Sequence, residues 1–484
     1  MKRRSFLAAG LAVAALPAGA NPPDTSARPF AKPVDAAKRG APSIERMVAE
    51  AGLGGRVGIA LADARTGEVL ETLNHLRPLP PASVAKALTA LYALETLGPE
   101  HRFVTRLVAT APVMGGRLDG DLILVGGGDP ALDTDGLHDL AALAKDAGLR
   151  EVTGAFLVAD GALPRIERID ATQPDHVGYN PAIGGLNLNF NRVHFQWRRD
   201  GGSYAVDMDA RTARFRPAVA TARMRVADRS LPVYTYARDG DIDSWTVARG
   251  QLGTEGSRWL PVRNPALYAG DVMRTMLRSN GIVVGAARRT DAPLAGTEIA
   301  RVQSAPVDRI VVSMLKYSTN ITAEVLGLAS GLARGARIGS LSASGAAMSD
   351  WLQERTGARR PDFDDHSGLN GTDRICAYDM VAALTAEGAA ERLRPRLKEM
   401  VIDGPAPVAV RAKTGTLNFV SGLAGYFDTG SGRSLAFATF VADTDRRGRL
   451  TVAERERPEG GRAWSRRARS LQFDLIERWA SVHS

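Results

Sequence analysis

The pattern of hydrophobic and polar positions predicts related structure at the two ends of the chain. Alternating apolar residues at 56–62 and 69–73, with a turn at 65–68 between them, predict a β-hairpin. Residues 83–97 follow a helical pattern that contains no glycine or proline. Further strands and a closing helix are predicted near the other end, at 409–415, 422–427, 434–442 and 463–479.

Between these ends the chain changes character over residues 101–261. Short strand-like runs such as 121–125 are followed by glycine-rich turns such as 126–130, and one clear helical pattern lies near 137–147. Helical patterns return afterwards, at 265–279, 305–316, 321–332 and 340–356. We therefore predict one α/β domain, made of residues 41–100 and 262–484, that is interrupted by a mainly β insertion at 101–261.

The first twenty residues have the pattern of a secretory signal peptide. A basic start is followed by a short apolar run at 6–16 and by small residues, so we expect cleavage after Ala20. Arg3 and Arg4 resemble the twin-arginine export motif, and residues 21–40 then form an exposed leader segment. No second apolar run long enough to span a bilayer follows. We therefore expect an exported, periplasmic protein with at most peripheral membrane contact.

Composition narrows the chemistry open to the chain. Of the 484 residues, 44% are hydrophobic and 24% are charged, which is typical of a globular protein. The single cysteine, Cys376, excludes an internal disulfide and a cysteine-based zinc site. The histidines form no metal-binding motif, and the basic clusters at 446–449 and 466–469 lack interleaved aromatic residues. We expect no metal, no cofactor and no nucleic-acid partner, and interpret the net charge of +9 as a solubility feature.

The first candidate motif is an S-x-x-K sequence that runs from Ser83 to Lys86. Residues three apart on a helix share a face, so the Lys86 amine can take the proton of the Ser83 hydroxyl. This requires that burial or a neighbouring cation lowers the pKa of the lysine. The motif alone is weak, because a serine here also suits a helix cap and because Ser313 and Lys316 repeat the spacing. We discount the second match, since it lies inside a predicted helix with no start signal.

Ser318 and Asn320 form a second candidate motif, S-x-N, with Thr319 between them. Side chains two apart on a regular helix point about 200° apart, so both can face one cleft only at a helix break or loop. The local sequence allows a break between the helices predicted at 305–316 and 321–332. The alternative is a polar helix junction in which Ser318 caps the second helix.

The third candidate motif, K-T-G-T, lies on a predicted strand and consists of Lys413, Thr414, Gly415 and Thr416. Lys413 and Thr414 offer a positive charge and a hydroxyl to a carboxylate. Gly415 has no side chain, which lets a substrate backbone approach closely. The alternative is an ordinary exposed strand end.

Together, in the order S-x-x-K, S-x-N and K-T-G, the three motifs resemble those of the penicillin-recognising serine enzymes. The gap from Ser83 to Ser318 is much longer than the gap from Ser318 to Lys413, as in the class C low-molecular-mass penicillin-binding proteins. These proteins are D-alanyl-D-alanine carboxypeptidases and endopeptidases. Further similar segments lie at 120–130, 186–193 and 365–369, whereas Thr319 and His366 depart from the residues commoner in the family.

The resemblance implies a fold, an activity and a set of site residues. The fold is a transpeptidase-like domain, shared with serine β-lactamases, in which helices flank an antiparallel sheet that a large insertion interrupts. The activity is hydrolysis of peptidoglycan peptides ending in D-Ala-D-Ala, with β-lactams as covalent inhibitors. The implied roles are Ser83 as nucleophile, Lys86 as base, Ser318 as proton relay, Asn320 as orienting residue, Lys413 and Thr414 as carboxylate ligands, and Ser83 and Thr416 N–H groups as the oxyanion hole.

Two alternatives remain open at this point: a β-lactamase or esterase on the same fold, and a non-catalytic wall-binding protein. The large insertion argues against the first and the intact motifs against the second. All three motifs lie outside the insertion, so we expect it to shape access to the cleft and to supply none of the acylation machinery. Within it, Asp160 is a candidate contact for the amino group of a diamino-acid side chain.

Overall fold

The computed structural model describes residues 40–292, 295–404 and 407–484. The predicted signal peptide, its cleavage site and all but the last residue of the predicted leader lie outside these residues. Within them, no helix is long and apolar enough to cross a membrane. The α-helices are α1 (Ile44–Glu50), α2 (Ala85–Thr96), α3 (Thr134–Asp146), α4 (Pro265–Ser279), α5 (Val307–Tyr317), α6 (Asn320–Ala333), α7 (Leu341–Thr356), α8 (Ala377–Thr385), α9 (Ala389–Leu393), α10 (Thr444–Gly448) and α11 (Gly461–Val482).

The strands fall into one long antiparallel sheet and several smaller sheets. In chain order they are β1 (Arg56–Asp63), β2 (Val69–Leu73), β3 (Val104–Ala109), β4 (Val113–Met114), β5 (Arg117–Leu118), β6 (Leu122–Val125), β7 (Glu151–Val152), β8 (Phe156–Ala159), β9 (Arg192–Asp200), β10 (Ser203–Asp209), β11 (Ala222–Ala227), β12 (Tyr234–Asp239), β13 (Ile242–Ala248), β14 (Glu255–Pro261), β15 (Ala287–Arg289), β16 (Thr297–Gln303), β17 (Lys398–Ile402), β18 (Val408–Leu417), β19 (Val420–Asp428) and β20 (Ser434–Ala442).

The main sheet joins the two ends of the chain. Its strand order is β17-β18-β19-β20-β1-β2, and every neighbouring pair is antiparallel. Helices cover both faces of this sheet. Alternate residues of one strand point to opposite faces, so they belong to two different hydrophobic cores. Ile59 and Leu61 of β1 pack with α1 and α11, whereas Ala60 and Ala62 pack with α2 and the helices around it. The antiparallel sheet with flanking helices that the sequence predicted is thus confirmed.

Helix α2 occupies the middle of the helical core and carries the first motif. Residues 85–94 are all buried, including Lys86 and Thr89. A helix that is apolar on every side is expected in the centre of a domain rather than on its surface. The hydroxyl of Thr89 donates to the carbonyl of His366 at 2.6 Å, which ties the helix to the loop after Asp365. The centre of the domain is therefore also the floor of the site.

A second core belongs to the inserted region. It is built on the sheet β15-β8-β6-β3-β16, on smaller sheets of which the larger two are β10-β9-β14 and β11-β13-β12, and on helices α3 and α4. The region is thus a mixed but strand-rich unit, as predicted.

The predicted end of the insertion at residue 261 falls inside this second unit. Helix α4 packs in its core, where Gly270 approaches Val158 and Ala287, and β16 pairs with β3 up to Gln303. The unit therefore extends to about residue 303. An amphipathic pattern predicts that a helix has a buried face, but it does not show which core that face packs in. Strand β15 has only three residues, which is too short to give a clear strand pattern. This is why the pattern of residues 262–303 gave the wrong boundary.

Candidate active site

Ser83 and Lys86 meet at the start of α2. Ser83 lies in a 3-10 turn, Ala82–Val84, directly before the helix, and Lys86 lies in the first helical turn. The Nζ atom of Lys86 is 3.0 Å from the Oγ atom of Ser83. Ala82 has a φ of 47°, a left-handed conformation that costs a residue with a side chain about 1–3 kcal/mol and is concentrated at functional sites. The predicted contact between serine and lysine is present, in a turn held under strain.

Lys86 is fully enclosed and uses all of its hydrogen-bonding capacity. Besides Ser83, its Nζ donates to Asn320 Oδ1 at 2.8 Å and to the carbonyl of Ser367 at 2.7 Å. Burial lowers the pKa of Lys86 to about 8, against the opposing effect of the carboxylates of Asp365 and Glu324. The amine is therefore closer to the neutral, proton-accepting form at physiological pH than an exposed lysine would be.

Buried carboxylates lie behind Lys86 and fix the loop that binds it. Both oxygens of Glu324 accept backbone N–H groups, from His366 at 2.9 Å and Ser367 at 3.0 Å. Asp365 accepts from the N–H groups of Ser367, Gly368 and Asn370. Burial, followed by the charge of Asp365, raises the pKa of Glu324 to about 8. No motif in the sequence assigns a positioning role to Glu324 or Asp365; a glutamate in an otherwise apolar helix is the signal available for Glu324.

A helix break brings Ser318 and Asn320 to the same cleft. Helix α5 ends at Tyr317, Ser318 adopts the left-handed conformation with a φ of 58°, and α6 begins at Asn320 with Thr319 as its N-cap. This is the break that the S-x-N spacing required. Ser318 does not cap α6; its Oγ instead accepts a hydrogen bond from Lys413 Nζ at 3.0 Å. The side chain of Asn320 spans two parts of the molecule, because its Nδ2 donates to the carbonyl of Tyr179 at 2.9 Å.

The third motif lies on an open stretch of strand edge. Strand β17 pairs with β18 only as far as Ala412, so from Lys413 to Leu417 that edge has no strand partner among the described residues. Thr414 and Thr416 are exposed, whereas Lys413 is buried. Burial, followed by the charge of Lys86, lowers the pKa of Lys413 to about 7. An open edge beside two hydroxyls and an amine can pair with an extended peptide and bind its carboxylate.

Gly415 is needed for a contact that the sequence analysis did not anticipate. A Cβ atom at this position would lie 2.5 Å from the carbonyl oxygen of Pro81 and 3.1 Å from the backbone nitrogen of Ser83. The missing side chain therefore lets β18 pack against the turn that carries Ser83. Close approach by a substrate remains a prediction, whereas this close approach belongs to the folded protein itself.

Two other sequence candidates do not reach this site. Ser313 and Lys316, the second S-x-x-K match, are exposed on α5. Asp160 is buried and its carboxylate binds the guanidinium of Arg165, with Nη2 to Oδ1 at 2.6 Å, so it is not free to meet a substrate amine. Within the described residues, no group of three or more histidine, cysteine or acidic side chains is arranged to hold a metal ion.

Comparisons with known proteins identify the family of the chain. The D-Ala-D-Ala carboxypeptidase 3 (S13) family matches residues 41–455. A D-alanyl-D-alanine carboxypeptidase of Actinomadura sp. (strain R39) is 28% identical over 450 residues, which cover 82% of this chain and 79% of that protein. D-alanyl-D-alanine carboxypeptidase DacB of Haemophilus influenzae is 24% identical over 423 residues, covering 80% and 85% respectively.

The fold agrees as well. The crystal structure of penicillin binding protein 4 (dacB) from Haemophilus influenzae matches with a TM-score of 0.74 at 22% identity, covering 91% of this chain and all of that one. The same protein complexed with a β-lactam matches with a TM-score of 0.71. The resemblance to penicillin-binding proteins inferred from the three motifs is thus confirmed. The chain belongs to the D-Ala-D-Ala carboxypeptidase 3 (S13) family and is a serine-type carboxypeptidase.

Proposed function

We propose that this protein hydrolyses peptidoglycan stem peptides ending in D-Ala-D-Ala through an acyl-enzyme on Ser83, and that β-lactams acylate the same serine. The observation that carries the proposal is the contact between Ser83 Oγ and the buried Nζ of Lys86, 3.0 Å apart. Serine is a weak nucleophile unless a base removes its proton. Lys86 is the amine in contact with this hydroxyl, and burial lowers its pKa to about 8.

In the acylation step, Ser83 Oγ attacks the carbonyl carbon between the two D-alanines while its proton passes to Lys86 Nζ. The negative charge that develops on the carbonyl oxygen is stabilised by the N–H groups of Ser83 and Thr416. Collapse of this intermediate breaks the C–N bond. The departing amine receives, through Ser318, the proton that Lys86 took from Ser83, which returns Lys86 to its neutral form. Ser318 Oγ also accepts a hydrogen bond from Lys413 Nζ. A water molecule then attacks the ester and gives a proton to Lys86 Nζ, which passes it to Ser83 Oγ as the peptide acid leaves.

Lys413 and Thr414 bind the terminal carboxylate of the substrate in this proposal. Supporting it are the open edge of β18 from Lys413 onwards and the exposed Thr414 hydroxyl beside a cation. A peptide with its carboxylate at Lys413 and its scissile carbonyl near Gly415, next to Ser83, pairs antiparallel to β18. This carboxylate contact favours removal of a terminal residue, so carboxypeptidase activity comes first and endopeptidase activity on cross-links second.

We propose that the protein works in the periplasm, where stem peptides are found. The supporting observations are the signal-peptide pattern of residues 1–20, which lie outside the described residues, and the lack of a membrane-spanning helix within those described. The predicted twin-arginine route is part of this proposal.

Intact-mass measurement after mixing with benzylpenicillin, run beside a D-alanine release assay, tests the function. We expect one added drug mass on the peptide that contains Ser83, and release of D-alanine from a D-Ala-D-Ala peptide. The adduct should persist because the opened β-lactam ring keeps the leaving amine tethered near the ester. Ser83→Ala should lose both signals, whereas Ser313→Ala, at the exposed second S-x-x-K match, should retain both.

Each alternative gives a different result in the same two assays. Rapid turnover of the drug without D-alanine release would indicate a β-lactamase, and the lack of both signals would indicate a non-catalytic wall-binding protein. An adduct on Ser83→Ala would contradict the assignment of the nucleophile.

A further inference from the structure

One wall of the cleft that contains Ser83 is strongly basic. The cleft has a volume of about 1200 Å³, and Ser83, Asn320 and Thr416 line its catalytic end. The opposite wall comes from the C-terminal segment of the chain. Its six arginines, here called the basic arm, are Arg447, Arg455, Arg457, Arg462, Arg466 and Arg469.

These arginines are poorly compensated by acidic side chains in the described part of the protein, where the charge of Asp170 acts on Arg447 without forming a salt bridge. None of the six forms a salt bridge to a described carboxylate. One acidic residue, Glu456, lines the same cleft, and its two oxygens already bind Arg258 at 3.2 Å and His176 at 3.1 Å. Burial, followed by the charge of Arg455, lowers the pKa of Arg447. Crowded cations with few counter-charges repel one another and raise the local positive potential, which attracts a ligand with several negative charges.

The basic arm begins next to the edge on which the substrate is proposed to lie. Arg447 Nη1 donates to the carbonyl of Asn418 at 3.4 Å, and Asn418 Nδ2 donates to the carbonyl of Arg455 at 2.7 Å. Asn418 lies two residues beyond Thr416, roughly 7 Å at the rise of an extended strand. With the terminal carboxylate at Lys413 and the scissile carbonyl near Gly415, the acyl side of a bound peptide runs towards Asn418 and the arm.

Helix α11 extends the arm away from the strand. Arg462, Arg466 and Arg469 are spaced four and three residues apart, so they share one face of the helix, and all three line the cleft. The adjacent Arg467 is exposed but does not line it. The family match ends at residue 455, so this part of the wall lies outside the matched segment. Two arginines of the basic cluster at 466–469, Arg466 and Arg469, thus line the active-site cleft.

We propose that the basic arm binds the negatively charged acyl side of the substrate, so that the enzyme selects peptides carrying several free carboxylates before the D-Ala pair. The inference rests on the proposed function, because it uses the substrate direction along β18. A single carboxylate can bind only one or two of the six guanidinium groups. A ligand that uses the whole arm therefore carries several negative charges. The substrate peptide is favoured over a separate anionic polymer because the arm is continuous with the substrate edge.

Two synthetic peptides that differ only in charge test this selectivity. Acetyl-Ala-Glu-Glu-D-Ala-D-Ala carries two acyl-side carboxylates, and acetyl-Ala-Gln-Gln-D-Ala-D-Ala is its nearly isosteric neutral match. We expect the wild-type enzyme to cleave the acidic peptide with a kcat/KM at least tenfold higher, since exposed charge pairs contribute modestly but add up. The advantage should shrink as salt is raised, because screening weakens exposed charge interactions.

Matched arginine variants locate the effect. Arg462→Gln, Arg466→Gln and Arg469→Gln combined should lower kcat/KM for the acidic peptide about tenfold and leave the neutral peptide within about twofold. Arg467→Gln, next to Arg466 but off the cleft, should change neither. Acylation by benzylpenicillin should stay normal in all of these proteins, which also shows that each of them is folded.

The outcomes separate this inference from the function beneath it. Equal cleavage of the two peptides by the wild type, or an equal loss in Arg467→Gln, would overturn the basic arm while leaving the carboxypeptidase intact. Failure to cleave either peptide would overturn the proposed function itself. Inhibition by inorganic polyphosphate without any discrimination between the peptides would also overturn the inference, in favour of a phosphate polymer.

Discussion

Replacing Gly327 with alanine should disturb the catalytic lysine from a position outside the cleft. Gly327 lies in α6, and its Cα faces the buried ring of His366. A Cβ atom here would lie 2.1 Å from Cγ of His366. Carbon atoms in contact are normally about 3.5–4.0 Å apart, so the helix and the ring would have to separate by well over 1 Å.

Neither side of this contact can yield freely. The His366 ring is held by Ser344, with Oγ to Nε2 at 2.7 Å, and its backbone is bound on one side by Glu324 and on the other by Thr89. Helix α6 begins with Asn320, and the next residue after His366 is Ser367. These two residues supply two of the three acceptors of Lys86, at 2.8 and 2.7 Å. Any separation of helix and loop therefore pulls the Lys86 acceptors apart.

We expect Gly327→Ala to destabilise the protein by about 1–3 kcal/mol, the usual cost of overpacking a core, after a small gain in helix propensity. At about 2.1 cal/mol/K of unfolding entropy per residue, the unfolding midpoint should fall by about 1–3 °C. Acylation of Ser83 should slow, measured as the rate of adduct formation with benzylpenicillin. Both quantities can be followed on the same purified protein by thermal unfolding and by intact mass.

Two further variants show whether contact with the His366 ring causes the loss of stability and acylation rate in Gly327→Ala. In Gly331→Ala, one turn later on α6, the added Cβ would lie too close only to the terminal methyl of Ile338, at 2.4 Å, and would meet Ser344 Oγ at an ordinary 3.6 Å. The methyl can move, so we expect near-normal stability and acylation. Adding His366→Gly to Gly327→Ala should recover part of the loss, with a coupling energy of about 1–3 kcal/mol. Normal acylation and stability in Gly327→Ala, or strictly additive effects in the double variant, would refute the reasoning.

Three further predictions concern protons, the buried carboxylate and export. The rate of Ser83 acylation by a carboxylate-bearing β-lactam should be bell-shaped in pH with its maximum between about 7 and 8, because it needs neutral Lys86, whose pKa is about 8, and charged Lys413, whose pKa is about 7. Lys413→Arg keeps its charge, so the basic limb should disappear, and a persistent basic limb would assign it to another group. Glu324→Gln changes a buried carboxyl group whose pKa is raised to about 8, so it removes little negative charge below that pH and the acidic limb should stay in place. The same change leaves one buried N–H of the 366–367 loop without an acceptor, at a cost of about 1–3 kcal/mol, so the unfolding midpoint should fall. An acidic limb that moves to lower pH would show that Glu324 is charged there and would contradict its raised pKa. Arg3→Lys with Arg4→Lys should leave the precursor in the cytoplasm, measured by fractionation, and normal export would contradict the twin-arginine route but not secretion.

Local spacing predicted those parts of the site that depend on one element. Three residues separate Ser83 from Lys86, and the geometry of one helical turn alone brings their side chains together. In the same way, Ser318 and Asn320 would point about 200° apart on a regular helix, so the motif required a helix break. The left-handed conformation of Ser318 provides that break. The hairpin and the last three strands also follow from short runs of apolar and β-branched residues bounded by turn residues, which is a local signal. Period-two burial is not their signature, because β1, β19 and β20 are buried on both faces.

Contacts between distant segments could not be read from spacing. Lys413 and Ser318 are 95 residues apart, so local spacing could not predict their contact. Only the family resemblance indicated that the two residues belong to one site. Glu324 looks like an ordinary polar residue in a helix until the fold brings the backbone of His366 and Ser367 against it. The arginines at 466–469 have the same composition whether they face solvent or a cleft. In each case the tertiary structure, rather than local propensity, decides the role.

The inserted unit takes a larger part in the site than the position of the motifs suggests. An asparagine side chain has one accepting and one donating end, and Asn320 uses both, with Oδ1 on Lys86 and Nδ2 on the carbonyl of Tyr179. Tyr179 belongs to the insertion, and the neighbouring Asn180 is locked by hydrogen bonds from the N–H groups of Ile169 and Asp170. The insertion thus fixes which end of Asn320 faces the lysine. The described residues of the insertion form no hydrogen bond with Ser83 or Lys86 in this arrangement, yet without the insertion nothing would fix the orientation of the Asn320 amide. The two units therefore form a single catalytic structure.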